Sequence, residues 1–195
     1  MPAGRQPATD LAFIAVFAAL IAAFSVVPGI PIGPVPITLQ TLAVILAGLV
    51  LGPWRGFAAT ALYLAVGFAG LPVFAGGAAG LGVLAKPSIG YLLSFPIAAL
   101  VAGAFARWLA GPGRRGRYLR LFLSGFGASI LIVHPAGILG LMLILHIDLA
   151  KAIATDLVFW PGDVLKNLVA AAIAMAVHKA FPALLSPRVP AVALR

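Results

Sequence analysis

Six apolar stretches follow one another along the chain, at residues 11–27, 37–51, 57–74, 89–109, 119–147 and 163–181, separated by segments rich in proline, glycine or charge. Runs of this length and character are read as helices that cross hydrocarbon. Composition agrees: 63% of residues are hydrophobic and 9% charged, against about 45–50% and about 25% in soluble domains. The expectation is an all-α integral membrane protein of six transmembrane helices forming one domain over residues 1–195, with no room for a second.

The formal net charge of +9 would suggest a nucleic-acid partner in a soluble protein, but its distribution reads as membrane topology. Arg5, Arg55, Arg107, Arg114, Arg115, Arg117, Arg120, Lys179, Arg188 and Arg195 fall on one face of the six-span arrangement, and Lys86, Lys151 and Lys166 on the other. Basic residues concentrate on the cytoplasmic side. Both termini are therefore expected in the cytoplasm, and nucleic acid is not an expected partner. The first stretch competes with a cleaved signal peptide, but it is longer than the usual apolar core of about 7–15 residues. Asp10 also stands immediately before it, so it reads as a retained span.

Pro135 is expected to kink the long fifth stretch. The opposite face carries three loops, at 28–36, 73–88 and 148–162. In the second, Gly76, Gly77, Gly80 and Gly82 oppose helix formation, yet Leu71, Val73, Phe74, Leu81, Val83 and Leu84 make the segment apolar. It reads either as a lid over an apolar pocket or as tight turns that dip into the membrane interface.

Candidates for what lies beneath a lid come from the sixth stretch, where Asp163, Lys166 and Asn167 share one helix face after Pro161-Gly162. Charges within a membrane usually face a cavity or one another. The rival reading is structural, with Asp163 favoured by the helix dipole and Lys166 snorkelling outward. Gln40 opens the second stretch near the same face, where an amide needs a partner. Tyr91 fits either an interfacial belt or a pocket wall. Ala15, Ala19 and Ala23 form a small-residue stripe on the first stretch, suited to docking another membrane protein or to packing within the subunit.

Catalysis finds little support. Cysteine is absent and the histidines are three and scattered, so no metal site is expected. Ser124, Ser129 and His134 share the fifth stretch, but no acid stands near them in sequence, and His134 reads as a hydrogen bonder at the proline kink. There is no Gly-x-x-x-x-Gly-Lys-[Ser/Thr] loop, so ATP hydrolysis would belong to a partner. The residues describe a small membrane protein holding a ligand near its outer face, with transporter ahead of channel and membrane enzyme.

The run Pro34-Val35-Pro36-Ile37-Thr38-Leu39-Gln40-Thr41-Leu42, then Leu46-Ala47-Gly48 with Leu51-Gly52-Pro53, then Gly70-Leu71-Pro72-Val73-Phe74-Ala75-Gly76-Gly77 and Gly80-Leu81-Gly82-Val83-Leu84 resembles the BioY family. The likeness continues through Pro87, Gly90-Tyr91-Leu92-Leu93 and Pro161-Gly162-Asp163-Val164-Leu165-Lys166. This family comprises the biotin-binding S-components of energy-coupling factor (ECF) transporters.

The resemblance implies an ECF S-component-like bundle in a prokaryotic cell membrane. It would bind biotin with high affinity and reorient when a transmembrane T-component and two ATPase subunits drive it. Biotin is then transported ligand rather than cofactor, and membrane lipid the surrounding partner. Ala15, Ala19 and Ala23 match the docking stripe of S-components. Asp163 and Lys166 match the family's acidic and basic pair, with Gln40, Gly82 and Tyr91 as further substrate-site positions. A carboxylate suits the ureido N–H donors of biotin, and an ammonium suits its ureido carbonyl or its carboxylate. Lys86, Ile89 and Ser94 stand where the family pattern has glycine; Lys86 reads as a solvated loop residue or as an extra cation at the mouth. The alternatives are an S-component for another small vitamin and a membrane binding protein without transport. A homo-oligomer is compatible with either.

Overall fold

A computed structural model describes residues 7–110 and 115–182. Arg5, Arg114, Arg188 and Arg195 lie outside the described residues. Among the described residues eight α-helices follow in chain order: α1 Pro7–Val26, α2 Gln40–Leu51, α3 Pro53–Phe68, α4 Ile89–Leu109, α5 Arg117–Ala128, α6 His134–Leu145, α7 Leu149–Leu157 and α8 Trp160–Ala180. A π-helical segment, Ser129–Val133, joins α5 to α6, making 29 continuous helical residues from Arg117 to Leu145. Among the described residues, four helices are long and apolar enough to cross a membrane: α1, α4, α5–α6 and α8.

The shorter α2 is the axis of the bundle. Every residue from Leu42 to Leu51 is buried, as suits a helix that is apolar all round. It packs against α1, α3, α4, α5 and α8. Small residues permit the approach: a Cβ on Gly48 would collide with the Ala99 carbonyl oxygen of α4, and one on Gly56 of α3 would collide with the Gly48 backbone. By contrast, α1 lies at the edge, burying Ala18, Ile21 and Ser25 against its neighbours while Ala15, Ala19 and Ala23 face outward and exposed.

The kink anticipated at Pro135 takes the form of the wide turn just before it. Proline lacks an N–H and its ring clashes with the carbonyl four residues earlier; a π-turn absorbs that conflict. The larger differences from expectation lie at the third stretch and at the loop 148–162. The third stretch ends as a helix at Phe68, because Gly70 takes φ +110° and Pro72 restricts the residue before it, leaving 69–74 irregular. The anticipated loop at 148–162 contains α7, started by Asp148, whose carboxylate accepts the Lys151 backbone N–H at 2.8 Å. The 73–88 segment takes two short 3₁₀ turns, Ala75–Gly77 and Leu81–Ala85, length too small to offset its glycines as an α-helix.

The two ends of the bundle differ in chemistry. At one end Arg55 pairs with Asp10 at 3.1 Å and lies over the Phe13 ring, while Arg120 donates to the Leu109 carbonyl at 3.2 Å. Trp54 and Trp108 are 72% and 71% exposed there, as interfacial tryptophans are. The other end carries loop 28–36, the 3₁₀ turns and α7. In loop 28–36, Ile30 and Ile37 exchange both backbone hydrogen bonds at 2.9 Å, so the proline-rich entry to α2 closes on itself at that pair.

Gly48→Ala is expected to lower stability in detergent by about 1–3 kcal/mol through overpacking. Gly127→Ala, whose Cβ would meet only Phe105 at 3.6 Å, should be neutral or slightly stabilising. Thermal unfolding of the two variants beside the parent checks the contrast.

Candidate functional site

At the loop-rich end the first turns of α2, α4 and α8 converge on a cavity of about 80 Å³, set in a recess of about 710 Å³ counted out to its solvent mouth. Its walls are mostly apolar: Val35, Pro36 and Ile37 from the entry loop, Leu92 and Phe95 from α4, Val133 from the π-turn, and Phe159 before α8. Three helix N-termini add partial positive charge on the same side. The polar lining is sparse and comes from Thr38, Gln40 and Thr41, Ser88 and Tyr91, Lys86, and the pair Asp163 and Lys166.

That pair is buried, with Lys166 9% exposed, so the ammonium does not snorkel outward. Three residues apart on α8, the two side chains meet with Lys166 Nζ 2.9 Å from Asp163 Oδ1. Lys166 Nζ also donates to Thr41 Oγ1 at 3.1 Å, and the Thr41 hydroxyl donates to Asp163 Oδ1 at 3.4 Å. The triangle ties α2 to α8. Buried charges persist only when paired and hydrogen-bonded, and this pair meets that demand while still facing the cavity.

Two polar walls have hydroxyl or amide groups already committed. Gln40 Nε2 donates to Tyr63 Oη at 2.6 Å, and Tyr63 Oη lies 3.0 Å from Ser25 Oγ and 3.1 Å from the Val73 carbonyl, linking α1, α2, α3 and the 73–88 loop. The Tyr91 ring lines the cavity, but its hydroxyl donates to Asp156 Oδ1 at 2.7 Å. Asn167 braces α8 instead of lining the cavity, donating to Ser129 Oγ at 3.2 Å and to the Asp163 carbonyl at 2.8 Å.

The structure thus brings Asp163, Lys166, Gln40 and Tyr91 together. Gly82 is not among the lining residues; it is exposed on the Leu81–Ala85 turn with open space around it. Lys86 is exposed at the mouth. The 73–88 segment covers the cavity through Phe74, Ala75, Ala78 and Val83. Phe74 anchors it, with ring centroids 5.5 Å from Tyr63 and 5.2 Å from Phe68, seated against Gly67 where any Cβ would collide. A further backbone bond from Gly80 to the Gly67 carbonyl at 2.8 Å holds the far side of the turn.

His134 departs from expectation. Acid partners absent from its own stretch arrive from α7 and α8: Nδ1 lies 2.9 Å from Asp156 Oδ2, and Nε2 lies 3.5 Å from Asp163 Oδ2. Thr41 and Asp156 escaped the sequence reading. Scarcity was the available signal for Asp156, one of only four acidic residues in the chain. Ser124 and Ser129 turn back to carbonyls of their own helix, at 2.7 and 3.2 Å.

Comparison with known proteins extends over nearly the whole chain. A sequence profile of the BioY family matches residues 2–183. The biotin transporter BioY of Rhizobium etli is 37% identical over 179 residues, covering 90% of this chain and 96% of that protein. Its counterpart in Rhodobacter capsulatus is 39% identical over 192 residues, covering 92% and 98%. A solved structure, described as the S-component for biotin from an ECF-type ABC transporter, superposes with a TM-score of 0.84 at 30% identity, covering 90% of this chain and 94% of that one. With profile, relatives and fold in agreement, the chain belongs to the BioY family.

Proposed function

We propose that this chain captures biotin on the outer side of a prokaryotic cell membrane and passes it inward as the substrate-binding subunit of an ECF-type transporter. The observation that carries the reading is the buried Asp163–Lys166–Thr41 triangle, placed at an apolar cavity beneath the Phe74-anchored segment. A ligand that fits must be small, largely apolar and equipped with both donors and acceptors. Biotin has two ureido N–H groups for the Asp163 carboxylate. Lys166 offers a charge-assisted donor to the ureido carbonyl or to the carboxylate. The thioether ring and alkyl chain suit walls such as Val35, Phe95 and Phe159. Gln40 and Tyr91 shape the polar side, and Gly82 leaves the covering turn free of a side chain above the mouth.

In this reading the chain crosses the membrane six times, through α1, α2, α3, α4, α5–α6 and α8, with α7 on the outer surface. The basic, tryptophan-flanked end then faces the cytoplasm, as Arg55, Arg107, Arg120 and Lys179 favour, and both termini lie there. The chain acts as a transport subunit and not as an enzyme. Reorientation is powered by a T-component and two ATPase subunits. The outward stripe of Ala15, Ala19 and Ala23 supplies the close-approach surface for the T-component.

Asp163→Asn is expected to weaken biotin binding by about a hundredfold or more, since one partner of a buried charged pair is lost. The double variant Asp163→Leu, Lys166→Met should recover stability, as apolar replacements of buried ion pairs often do, without recovering binding. Equilibrium biotin titration beside thermal unfolding separates the two effects. Retained binding by the folded double variant would remove the pair from the site.

A large residue at the stripe, Ala19→Trp, is expected to leave biotin binding by the isolated chain within about twofold while abolishing co-purification with the T-component. Intact complex formation would assign the stripe to lipid contact alone.

A further inference from the structure

Behind the cavity wall lies a second polar cluster that the ligand triangle does not require. Asp156 on α7 is 1% exposed and receives three groups: the Tyr91 hydroxyl at 2.7 Å, Trp160 Nε1–H at 3.0 Å, and His134 Nδ1 at 2.9 Å from Oδ2. An ionised carboxylate only accepts, and with Asp156 in that form Nδ1 is the donor of the bond. The Trp160 ring lies along the imidazole, 5.1 Å between centroids and tilted 30°. His134, 2% exposed, is thereby fixed in place and angle.

Its other nitrogen is left over. Nε2 is buried, makes no hydrogen bond of ordinary length, and stands 3.5 Å from Asp163 Oδ2, the oxygen that Lys166 and Thr41 do not hold. A bare Nε2 would set a lone pair against a carboxylate oxygen in a buried site. A protonated one completes an alternating row, Asp156, His134, Asp163, Lys166, whose four charges sum to zero, the condition under which buried charge is tolerated. The groups facing the imidazole are Asp156 on α7, Asp163 and Trp160 on α8 and, through Asp156, Tyr91 on α4.

We propose that His134 is a positioning residue of the ligand site: Asp156 fixes its ring through Nδ1–H, and Nε2–H steadies Asp163 Oδ2, so that the carboxylate keeps its plane and charge toward the cavity. This rests on the reading of Asp163 as the carboxylate that meets the ligand. It also makes α7 part of the site, since Asp156 reaches the ligand only through His134 and Tyr91.

Two isosteric amides divide the roles of the ring. The amide nitrogen of His134→Asn falls near Nδ1 and still reaches Asp156, with nothing toward Asp163. That of His134→Gln falls near Nε2 and faces Asp163, leaving Asp156 one donor short. Biotin binding is expected to weaken by about tenfold or more in the Asn variant and by less than about threefold in the Gln variant. Thermal stability should show the reverse order, with Gln the less stable. If affinity instead follows stability, with Asn binding like the parent, His134 only braces Asp156 and the proposal is overturned.

A second measurement needs no ligand. In the parent labelled with [15N]histidine, the His134 ring, assigned among three histidines by its loss in His134→Gln, is expected to carry protons on both nitrogens. In Asp163→Asn its Nε2 resonance should move. A ring with bare Nε2 contradicts the proposal whether or not the parent binds biotin. A doubly protonated ring in a parent that fails to bind biotin would keep the clamp and reject only the ligand assignment.

Discussion

An aspartate and a lysine buried together within an apolar bundle are the constraint from which the architecture of the cavity end follows. Asp163 and Lys166 are almost wholly withdrawn from bulk water, and an uncompensated charge in such surroundings costs several kcal/mol. Each must therefore be met by protein. Thr41 is drawn in from α2, His134 from the α5–α6 crossing and, behind it, Asp156 from α7, with Tyr91 of α4 closing the row. The helices that bound the cavity are those that satisfy these charges. A site of this kind is set before any ligand arrives, which lowers the ordering cost of binding.

The rest of the bundle supports that end by apolar packing at close range. The α2 helix has no polar face to offer solvent and is enclosed by its neighbours, with Gly48 and Gly56 removing the side chains that would hold α3 and α4 away. Because α2 carries Gln40 and Thr41 on its first turn, the packing of its apolar body also fixes two polar positions at the cavity. Tyr63 plays a related part, joining Gln40 to Ser25 and to the segment anchored by Phe74. Cover, wall and peripheral helix meet at one hydroxyl.

Much of this was legible in the chain itself, for identifiable reasons. Uninterrupted apolar runs marked the long helices, and the i, i+3 spacing of Asp163 and Lys166 put both on one face of α8. What the sequence hides is contact between distant segments. His134 opens α6 and Asp156 lies near the end of α7, with the turn at His146 between the two helices, and their pairing depends on how α6 and α7 fold back on one another. Thr41 looked like an ordinary first-turn threonine until α8 was laid beside α2. α7 itself was obscured because its nine residues are too few to stand out from the loop that contains them. Gly82, conversely, drew attention through its motif, yet its place is on an exposed turn where backbone shape is what matters.

The two chemically distinct ends suit a protein that must recognise a ligand on one side of a membrane and engage partners through its flank. Arginine and the two exposed tryptophans, Trp54 and Trp108, gather at the end away from the cavity, while the thinly buried α1 offers small residues outward along its length. On the proposed function, the cavity selects biotin through its buried pair. Equilibrium titration of the purified parent chain in detergent with biotin, and in parallel with riboflavin and thiamine, addresses it most directly. Saturable one-to-one binding of biotin is expected, with no competition from the other two vitamins. A demonstrably folded sample that binds neither biotin nor its controls, or that prefers one of the controls, would contradict it.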